Sequence, residues 1–157
     1  MAEFLLTSRG SDFVVLVDDE DLDAVLAKGP WQIRKASKDR TMYVVRRGAI
    51  LHRWLLDAPK GTYVDHINGN GLDNRRCNLR LCTANQNQYN VGIQVRNISG
   101  FKGVGWFSPT KMWRARLQVD GKRIHLGWFR TAEAARDAYL KAVHVHHGEF
   151  ARLDWDK

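Results

Sequence analysis

The chain has 157 residues, 44% of them hydrophobic, which suits one ordinary domain or two small ones and excludes a disordered chain. Its formal net charge of +8 is uneven: residues 1–30 hold seven acids and two bases, residues 31–100 twelve bases and four acids, and residues 101–157 eleven and six. We expect a polyanionic partner bound in a salt-sensitive way, with simple solubility as the alternative explanation of the basic charge.

The first predicted elements lie close to the N-terminus. Residues 13–17 are apolar and predict a strand. The spacing of Leu22, Val25 and Leu26 predicts a short helix that ends at Gly29.

The next elements are short. Residues 31–35 and 42–46 predict a hairpin across a polar turn at residues 37–40, and residues 50–56 predict a helix. The acids of residues 18–23 are expected to complement the dipole at the N-terminus of the helix that ends at Gly29, rather than to form a metal cluster. We expect all of these elements to buttress the segment that follows.

Residues 63–67 and 77–81 predict two strands joined by a loop. The loop holds two Asn-Gly pairs, at residues 68–69 and 70–71, and such pairs are strong turn formers. Thr83 can cap a helix after the second strand. The segment therefore predicts a ββα unit.

Three polar residues of this unit are candidates for chemistry. Asp65 and His66 are adjacent and Asn87 lies on the predicted helix, so the spacing permits all three to converge. A histidine, a carboxylate and an amide can together provide one general base and one divalent metal, which phosphodiester hydrolysis needs. Asn90 competes with Asn87 for the role of metal ligand.

A dense set of residues in this unit follows one pattern: Asp65-His66, Asn68-Gly69, Asp73-Asn74-Arg75, Asn78-Leu79-Arg80, Thr83 and Asn87. The pattern resembles the HNH endonuclease family, and within it the subgroup typical of phage and intron homing endonucleases. The resemblance implies a ββα-metal fold in which His66 is the general base and Asp65 and Asn87 hold the metal. It also implies that Asn78 bonds across the loop and supports the strand of the histidine.

Oxygen ligands from one carboxylate and one amide favour Mg²⁺ or Mn²⁺ over Zn²⁺. His66 can then take a proton from water near neutral pH. Arg75, Arg76 and Arg80 are expected to contact DNA phosphates, with a solvated basic face as the alternative. His52, on the predicted helix before the unit, is expected to pack or to bond to the loop and is left out of the site.

The second half predicts a separate module. A polar stretch with glycines predicts a short linker at residues 94–98. Three strands are predicted after it, at residues 104–107, 113–119 and 122–128, the last two joined by an Asp-Gly turn. Thr131 then caps a helix whose small apolar stripe suits packing on a sheet.

Alternation along these strands sorts their side chains into two faces. The face toward the helix is expected to hold Trp113, Ala115, Leu117 and Val119. The opposite face is expected to bind a DNA groove through Arg114, Arg116, Gln118, Arg123 and His125. The alternative is an ordinary solvated face.

This module follows a second pattern, in Phe101-Lys102-Gly103-Val104, Trp113-Arg114-Ala115, Gly121-Lys122-Arg123, His125-Leu126-Gly127 and Thr131-Ala132-Glu133-Ala134-Ala135. The pattern resembles the AP2 DNA-binding domain, which implies a sheet that enters the major groove of double-stranded DNA, and Lys102 is added to the expected DNA contacts. Gly105, Phe107, Arg116 and His125 differ from the residues common at contact positions of plant AP2 factors, so no target sequence transfers. Trp106 is expected either to stack at the DNA or to fill the small core.

Two further sets of residues invite a metal hypothesis. His144, His146 and His147 lie near a helix end, where capping and exposure to solvent are expected instead. Cys77 and Cys82 are too few for a zinc site and are expected to stay thiols. Because no segment predicts a membrane span or a signal peptide, we expect a cytoplasmic protein, in the host cytoplasm if it is phage-encoded.

The sequence as a whole predicts an α+β protein of two modules. By the first resemblance, residues 1–93 are expected to form a small HNH ββα-metal nuclease module with an N-terminal α/β buttress, its motif at residues 63–91. By the second, residues 99–157 are expected to form an AP2-like three-stranded antiparallel sheet packed on one helix. The expected function is metal-dependent DNA cleavage of the homing type, as a nicking monomer or as a homodimer. The alternatives are a DNA-binding regulator without nuclease activity and, less suited to a sheet that reads major grooves, cleavage of RNA.

Overall fold

The computed structural model describes residues 1–36, 41–93 and 96–152. The chain divides into two compact units, the first unit Met1–Ala84 and the second unit Asn85–Lys157. This division lies earlier than the boundary expected at residue 93. The reason is that Asn85 and Tyr89 both bond to Asp120, which belongs to the second unit. Residues 94 and 95 of the expected linker lie outside the described residues.

The first unit begins with a hairpin of β1 (Ala2–Ser8) and β2 (Ser11–Val17). The strand predicted at residues 13–17 is confirmed as part of β2, whereas β1 was not predicted, because Phe4, Leu5 and Leu6 are consecutive and do not alternate with polar residues. Helix α1 (Asp19–Lys28) follows as predicted and ends before Gly29, whose N–H bonds to the carbonyl of Leu26. The acids of its first turn include Asp21, which is buried.

The predicted hairpin is formed by β3 (Gln32–Lys35) and β4 (Met42–Arg46), while its expected turn at residues 37–40 lies outside the described residues. A two-residue strand, β5 (Ala49–Ile50), adds to β4, and the predicted helix follows as α2 (Leu51–Leu55). The core of the unit is aliphatic, with one tryptophan, and consists of Val15, Val17, Val25, Trp31, Val44, Leu51, Leu55, Val64 and Leu79.

The segment with the candidate chemistry contains β6 (Tyr63–His66) and β7 (Leu79–Cys82), which pair antiparallel. The second strand begins two residues later than expected, because Arg76–Asn78 form a 3-10 turn. Helix α3 (Ala84–Tyr89) follows directly after Thr83, where the sequence predicts a helix.

The second unit contains β8 (Val104–Phe107), β9 (Met112–Val119) and β10 (Lys122–Phe129) in an antiparallel sheet of order β10-β9-β8. Helix α4 (Ala132–His146) packs on this sheet, and the Thr131 side chain accepts the N–H of Ala134 as the predicted cap. A short 3-10 turn, Gly148–Phe150, ends the described secondary structure.

The helix-facing side of the sheet is the small core of the second unit. Ala115 and Leu117 are buried against Ala135, Tyr139 and Val143 of α4, with Trp113 and Val119 beside them as predicted. A bulge between His125 and Gly127 interrupts the pairing of β10 with β9. None of the helices within residues 1–36, 41–93 and 96–152 has both the length and the apolar character that a membrane crossing needs.

Candidate active site

The pairing of β6 with β7 places the first two candidate residues. Asp65 lies opposite Arg80 and His66 opposite Leu79, and both candidates are about 95% buried, at 6% and 5% exposure. The guanidinium of Arg80 donates two bonds to Oδ2 of Asp65, of 3.0 Å from Nε and 2.7 Å from its Nη2. This ion pair has exposures of only 13% and 7%, so it is held away from solvent.

Residues 67–78 form a loop that Asn78 ties together. Its side-chain oxygen accepts the backbone N–H of Asn68 at 3.0 Å, and its amide donates to the carbonyl of Asp73 at 2.8 Å and to the Asn68 side chain at 3.0 Å. The backbone N–H of Ile67 also donates to the carbonyl of Asn78. The residue after His66 is therefore bonded across the loop to the strand that carries Asn78.

The far end of the same loop is bonded to the N-terminal hairpin. The carbonyl of Leu72 accepts the N–H of Leu16 at 3.0 Å, and the N–H of Asn74 donates to the carbonyl of Leu16 at 2.8 Å. Asp73 forms an isolated bridge with Leu16 and is 1% exposed. A loop bonded at both ends and buried at its centre holds its shape without a ligand.

His66 faces Asn74, a residue of the HNH-like pattern for which the sequence predicted no role. Its Nε2 lies 3.5 Å from Oδ1 of Asn74, a side chain that is fully buried. Burial lowers the pKa of His66, while Asn74, Asp65 and Asp73 act in the opposite direction. The imidazole is therefore neutral at pH 7, the state in which it can accept a proton. The sequence predicts no role for Asn74 beyond its place in that pattern, since an asparagine in a turn-rich loop is ordinarily exposed.

His52 of α2 is packed against His66, with ring centroids 4.8 Å apart and an edge-on angle of 80°. Tyr43 of β4 contacts both rings, at 5.5 Å from His52 and 5.9 Å from His66. Burial lowers the pKa of His52 to about 3, with smaller contributions from the nearby His66 and Arg53. Its buried Nδ1 has no hydrogen-bond partner among the described residues. The side chain left out of the site thus forms one wall of it.

The three arginines expected to contact DNA phosphates are paired with carboxylates. Arg75 donates to both oxygens of Asp73, at 2.7 and 2.6 Å. Arg76 donates to both oxygens of Asp21, at 2.8 Å each. Arg80 binds Asp65 as described and its side chain is only 13% exposed, so it does not lie on a solvated basic face, the alternative considered for it. Its contact with DNA phosphates stays a prediction.

The acids of residues 18–23 have a further part in the site's support. The carboxylate of Asp18 accepts the backbone N–H of Arg76, and Asp21 binds that residue's side chain. The position of these acids at the first turn of α1 agrees with the expectation that they complement the helix dipole. Two of these acids also anchor the turn that precedes β7.

Asn87 lies in the middle of α3, half buried, in the second unit, whereas Asp65 belongs to the first. Within the described residues no three His, Cys, Asp or Glu side chains gather as a metal centre. Carboxylate and amide oxygens, such as those of Asp65 and Asn87, are ligands that suit Mg²⁺ or Mn²⁺. The pairing of Asp65 with Asn87 on one ion stays a prediction.

The basic face of the sheet in the second unit is also aromatic. Arg114 lies over the rings of Phe107 and Trp128, at 4.9 and 5.6 Å from their centroids. Within residues 96–152, Arg114, Arg116 and Arg123 form no salt bridge, and burial together with these neighbouring charges lowers the pKa of Arg116. Such unneutralised positive charge suits a polyanion.

Two of the expected DNA contacts are engaged within the second unit. Lys102 donates to the backbone carbonyl of Tyr89, and the side chain of Gln118 donates to that of Gln88 at 3.3 Å. His125 is exposed beside Trp128, with ring centroids 4.9 Å apart. Trp106 is 43% exposed and packs edge-on against Trp113, so it lies at the edge of the small core and does not fill it. Its stacking on DNA stays a prediction.

The histidines at the end of α4 differ from one another. His144 and His146 are exposed as expected, but the expectation for His147 is wrong, because this residue is only 6% exposed. Its ring stacks on Tyr89 and its Nε2 donates to the carbonyl of Gln118 at 2.8 Å. Burial between two elements of the same unit outweighs the preference for solvent at the helix end.

Comparison with known proteins agrees with this geometry. A model of the HNH endonuclease family matches residues 57–89. Protein 3.8 of Escherichia phage T7 is 36% identical over 95 residues, which are 60% of this chain and 78% of that protein. A protein of Acanthamoeba polyphaga mimivirus described as an uncharacterized HNH endonuclease is 34% identical over 154 residues, 94% of this chain and 78% of its own length. No solved structure gives a significant match. The mimivirus relative is matched over most of both chains, and the matched motif lies on paired strands. The chain therefore belongs to the HNH endonuclease family and is a nuclease.

Proposed function

We propose that this nuclease hydrolyses the phosphodiester backbone of double-stranded DNA with His66 as the general base. The observation that carries the proposal is the state of His66: a buried histidine with a lowered pKa, beside the Asp65 carboxylate, on a strand that the loop holds rigidly. A base must be unprotonated before it can act, and its direction must be fixed. The lowered pKa of His66 supports the first condition, and the hydrogen bonds of its loop support the second.

In the proposed reaction His66 takes a proton from a water molecule as the water oxygen bonds to phosphorus. The bond from phosphorus to the 3′ oxygen breaks and that oxygen takes a proton from solvent, which leaves a 5′-phosphate and a 3′-hydroxyl end. Asp65 and Asn87 would hold one divalent cation, Mg²⁺ or Mn²⁺. When bound, such an ion neutralises charge on the phosphate and on the departing oxygen. Arg80 is expected to orient Asp65 for this role, since its Nε and Nη2 both donate to Oδ2.

Asn78 is proposed as a positioning residue. Its bonds to Asn68 and Asp73 hold the loop that continues directly from His66, so its loss would let the base change direction. Asn74, bonded into the N-terminal hairpin and 3.5 Å from His66, is proposed to share this role.

The sheet of the second unit is proposed to target the nuclease to DNA in the manner of an AP2 domain. Support comes from a three-stranded antiparallel sheet with one helix packed on one face and unneutralised arginines on the other. The proposed contacts are Arg114, Arg116, Arg123 and His125, with Lys102 and Gln118 contributing through their positions beside that face. Partly exposed Arg75 and Arg76 are proposed to add phosphate contacts by way of their remaining N–H groups.

One active centre cuts one strand in each event. We therefore propose a nicking enzyme of the homing type that makes double-strand breaks only as a homodimer or by successive cuts. The relatives in two viruses support a phage or mobile-element setting.

The test is cleavage of supercoiled DNA by the purified protein with Mg²⁺ or Mn²⁺, with an EDTA control. We expect nicked circles with the native protein and none with His66→Ala, which should bind DNA as tightly as the native chain. His144→Ala is the matched control, because His144 is an exposed histidine on α4. Equal loss of cleavage and of DNA affinity in His66→Ala would contradict its role as base. Absence of cleavage in the native protein, with salt-sensitive binding retained, would instead indicate the DNA-binding regulator.

A further inference from the structure

The helix that carries Asn87 is bonded to the second unit by the residues around it. Asn85 donates to Oδ1 of Asp120 at 3.3 Å, and the Tyr89 hydroxyl donates to the same oxygen at 3.1 Å. The backbone N–H of Asp120 donates back to the Tyr89 hydroxyl at 3.0 Å. One residue after Asn87, Gln88 accepts from Gln118. These bonds fix residues on both sides of Asn87 to β9 and to the turn that joins it to β10.

Tyr89 is also held by its ring. The His147 ring stacks on it with centroids 3.7 Å apart and planes 7° from parallel, and both residues are buried. His147 is in turn fixed by its bond to the carbonyl of Gln118. Lys102 donates to the main-chain carbonyl of Tyr89 itself. Tyr89 is thus held by hydrogen bonds at its hydroxyl, by stacking of its ring and by a hydrogen bond to its carbonyl.

Such fixing is necessary because α3 has only six residues. Helices of that length are not stable alone in water, so tertiary contacts decide whether the helix forms and where it lies. An amide metal ligand on an unfixed helix would have to be ordered each time an ion binds, and that ordering costs affinity.

We propose that Tyr89, held by Asp120 and His147, is a positioning residue that sets the place of Asn87 for metal binding. We call these three residues the Tyr89 clamp. The inference rests on the proposed function, in which Asn87 is a metal ligand. It adds that residues 85–89 of α3, which include Asn87, belong to the same compact unit as the sheet proposed to bind DNA, and that the turn after β9 holds them there. Tyr89 touches neither DNA nor metal in this role.

The first experiment compares Tyr89→Phe, which removes one hydroxyl, with the matched control Tyr63→Phe, which removes a hydroxyl from an exposed tyrosine of β6. Hydrogen–deuterium exchange of the metal-free proteins should show about three- to tenfold faster exchange in residues 84–90 of Tyr89→Phe alone, because hydrogen bonds of ordinary strength are lost. Hydrogen exchange in the part of β9 that lies away from the clamp should stay unchanged.

The second experiment measures Mn²⁺ binding by electron paramagnetic resonance in a His66→Ala background with DNA present, so that nothing is cut. Tyr89→Phe should weaken Mn²⁺ binding about three- to tenfold, and Asn87→Ala should weaken it more. In the cutting enzyme, Tyr89→Phe should lower kcat at low Mn²⁺ with the KM for DNA unchanged, and high Mn²⁺ should restore kcat.

Asp120→Gly serves as a second variant that keeps the turn, because Asp120 has a φ of +47° and glycine adopts that conformation freely. It should reproduce the exchange and Mn²⁺ effects of Tyr89→Phe. Unchanged exchange and unchanged Mn²⁺ affinity in both variants would overturn the clamp. Mn²⁺ affinity that Asn87→Ala does not alter would overturn it too, since the helix would then hold no ligand. Failure of the proposed function is distinct from these results: it is the absence of metal-dependent cleavage by the native protein.

Discussion

At the scale of the residue, burial decides what each polar side chain of the site can do. His66 is neutral at pH 7 because it is buried among strands, even though two acids lie near it. Asp65 is equally buried, and its carboxylate is bonded by the guanidinium of Arg80. Two adjacent residues of one strand therefore have different partners, a difference that their order in the chain alone does not explain.

Loss of Arg80 should show what this pairing contributes. Arg80→Ala leaves the Asp65 carboxylate buried without its cation, and we expect a decrease of about 3 kcal/mol in the free energy of unfolding. Urea titration of the variant measures it, with Arg34→Ala, at an exposed arginine of β3, as the control that changes little. A decrease below about 1 kcal/mol would mean that water reaches the carboxylate in solution.

His52 should make the first unit sensitive to acid. Its pKa of about 3 in the folded chain lies below the ordinary 6.5 of the unfolded chain, so the unfolded chain binds the proton more tightly. The stability from this residue is complete above pH 6.5 and is lost progressively as the pH falls toward 3. Between pH 7 and pH 5 the native protein should lose about 2 kcal/mol more than His52→Phe, which keeps a ring at the position.

Urea titrations of both proteins at the two pH values test this expectation. His125→Phe, at an exposed histidine of the second unit, should behave as the native chain does. An equal loss in the native protein and in His52→Phe would show that the His52 ring is already hydrated in the folded state.

At the scale of the element, short strands and turns have their places set by close contacts. The second unit shows this at Gly103, just before β8, where φ is +73°. A Cβ there would lie 2.2 Å from the ring of Tyr139 and 2.6 Å from the carbonyl oxygen of Arg116. Only glycine lets the chain approach α4 and β9 so closely.

Gly103→Ala should accordingly lower the free energy of unfolding by at least about 2 kcal/mol, from the left-handed backbone and the overlap together. The matched control is Gly105→Ala, two residues later in β8, where a Cβ meets no atom within 4 Å. We expect the control to be neutral. Thermal unfolding followed by circular dichroism compares them, and a similar Tm for both variants would rule out the close approach.

At the scale of the whole molecule, the distribution of charge separates two kinds of arginine. In the first unit Arg75, Arg76 and Arg80 are paired with acids of the same unit. In the second unit, within residues 96–152, Arg114, Arg116 and Arg123 have no such acids and lie on one face of the sheet. The net charge of +8 is thus a weaker guide to the DNA surface than the pairing of individual arginines.

This difference predicts the salt dependence of DNA binding. Arg116→Ala should weaken binding and reduce the slope of log affinity against log salt by about one. Lys141→Ala, at an exposed lysine of α4 on the other side of the sheet, should leave the slope unchanged. Fluorescence anisotropy at several salt concentrations measures both. Equal slopes in the native chain and in Arg116→Ala would remove this face of the sheet from the interface.

The sequence by itself determined most of the elements and the identity of the motif. Apolar alternation set the faces of β9, the Asp-Gly turn joined it to β10, and Thr131 began α4, because each of these signals acts within a few residues. The set from Asp65 to Asn87 likewise indicated the HNH endonuclease family, since its residue types and spacing are dense enough to be specific.

Only the tertiary structure decided how those residues are surrounded. Asn74 faces His66, His52 packs against it, and Arg80 is buried on Asp65, all through contacts between segments that the chain order leaves apart. The compact units likewise place α3 with the second half of the chain, through Asp120 and His147. The physical reason is that burial and pairing depend on neighbours distant in sequence, whereas turns, caps and strand alternation depend on neighbours within a few residues.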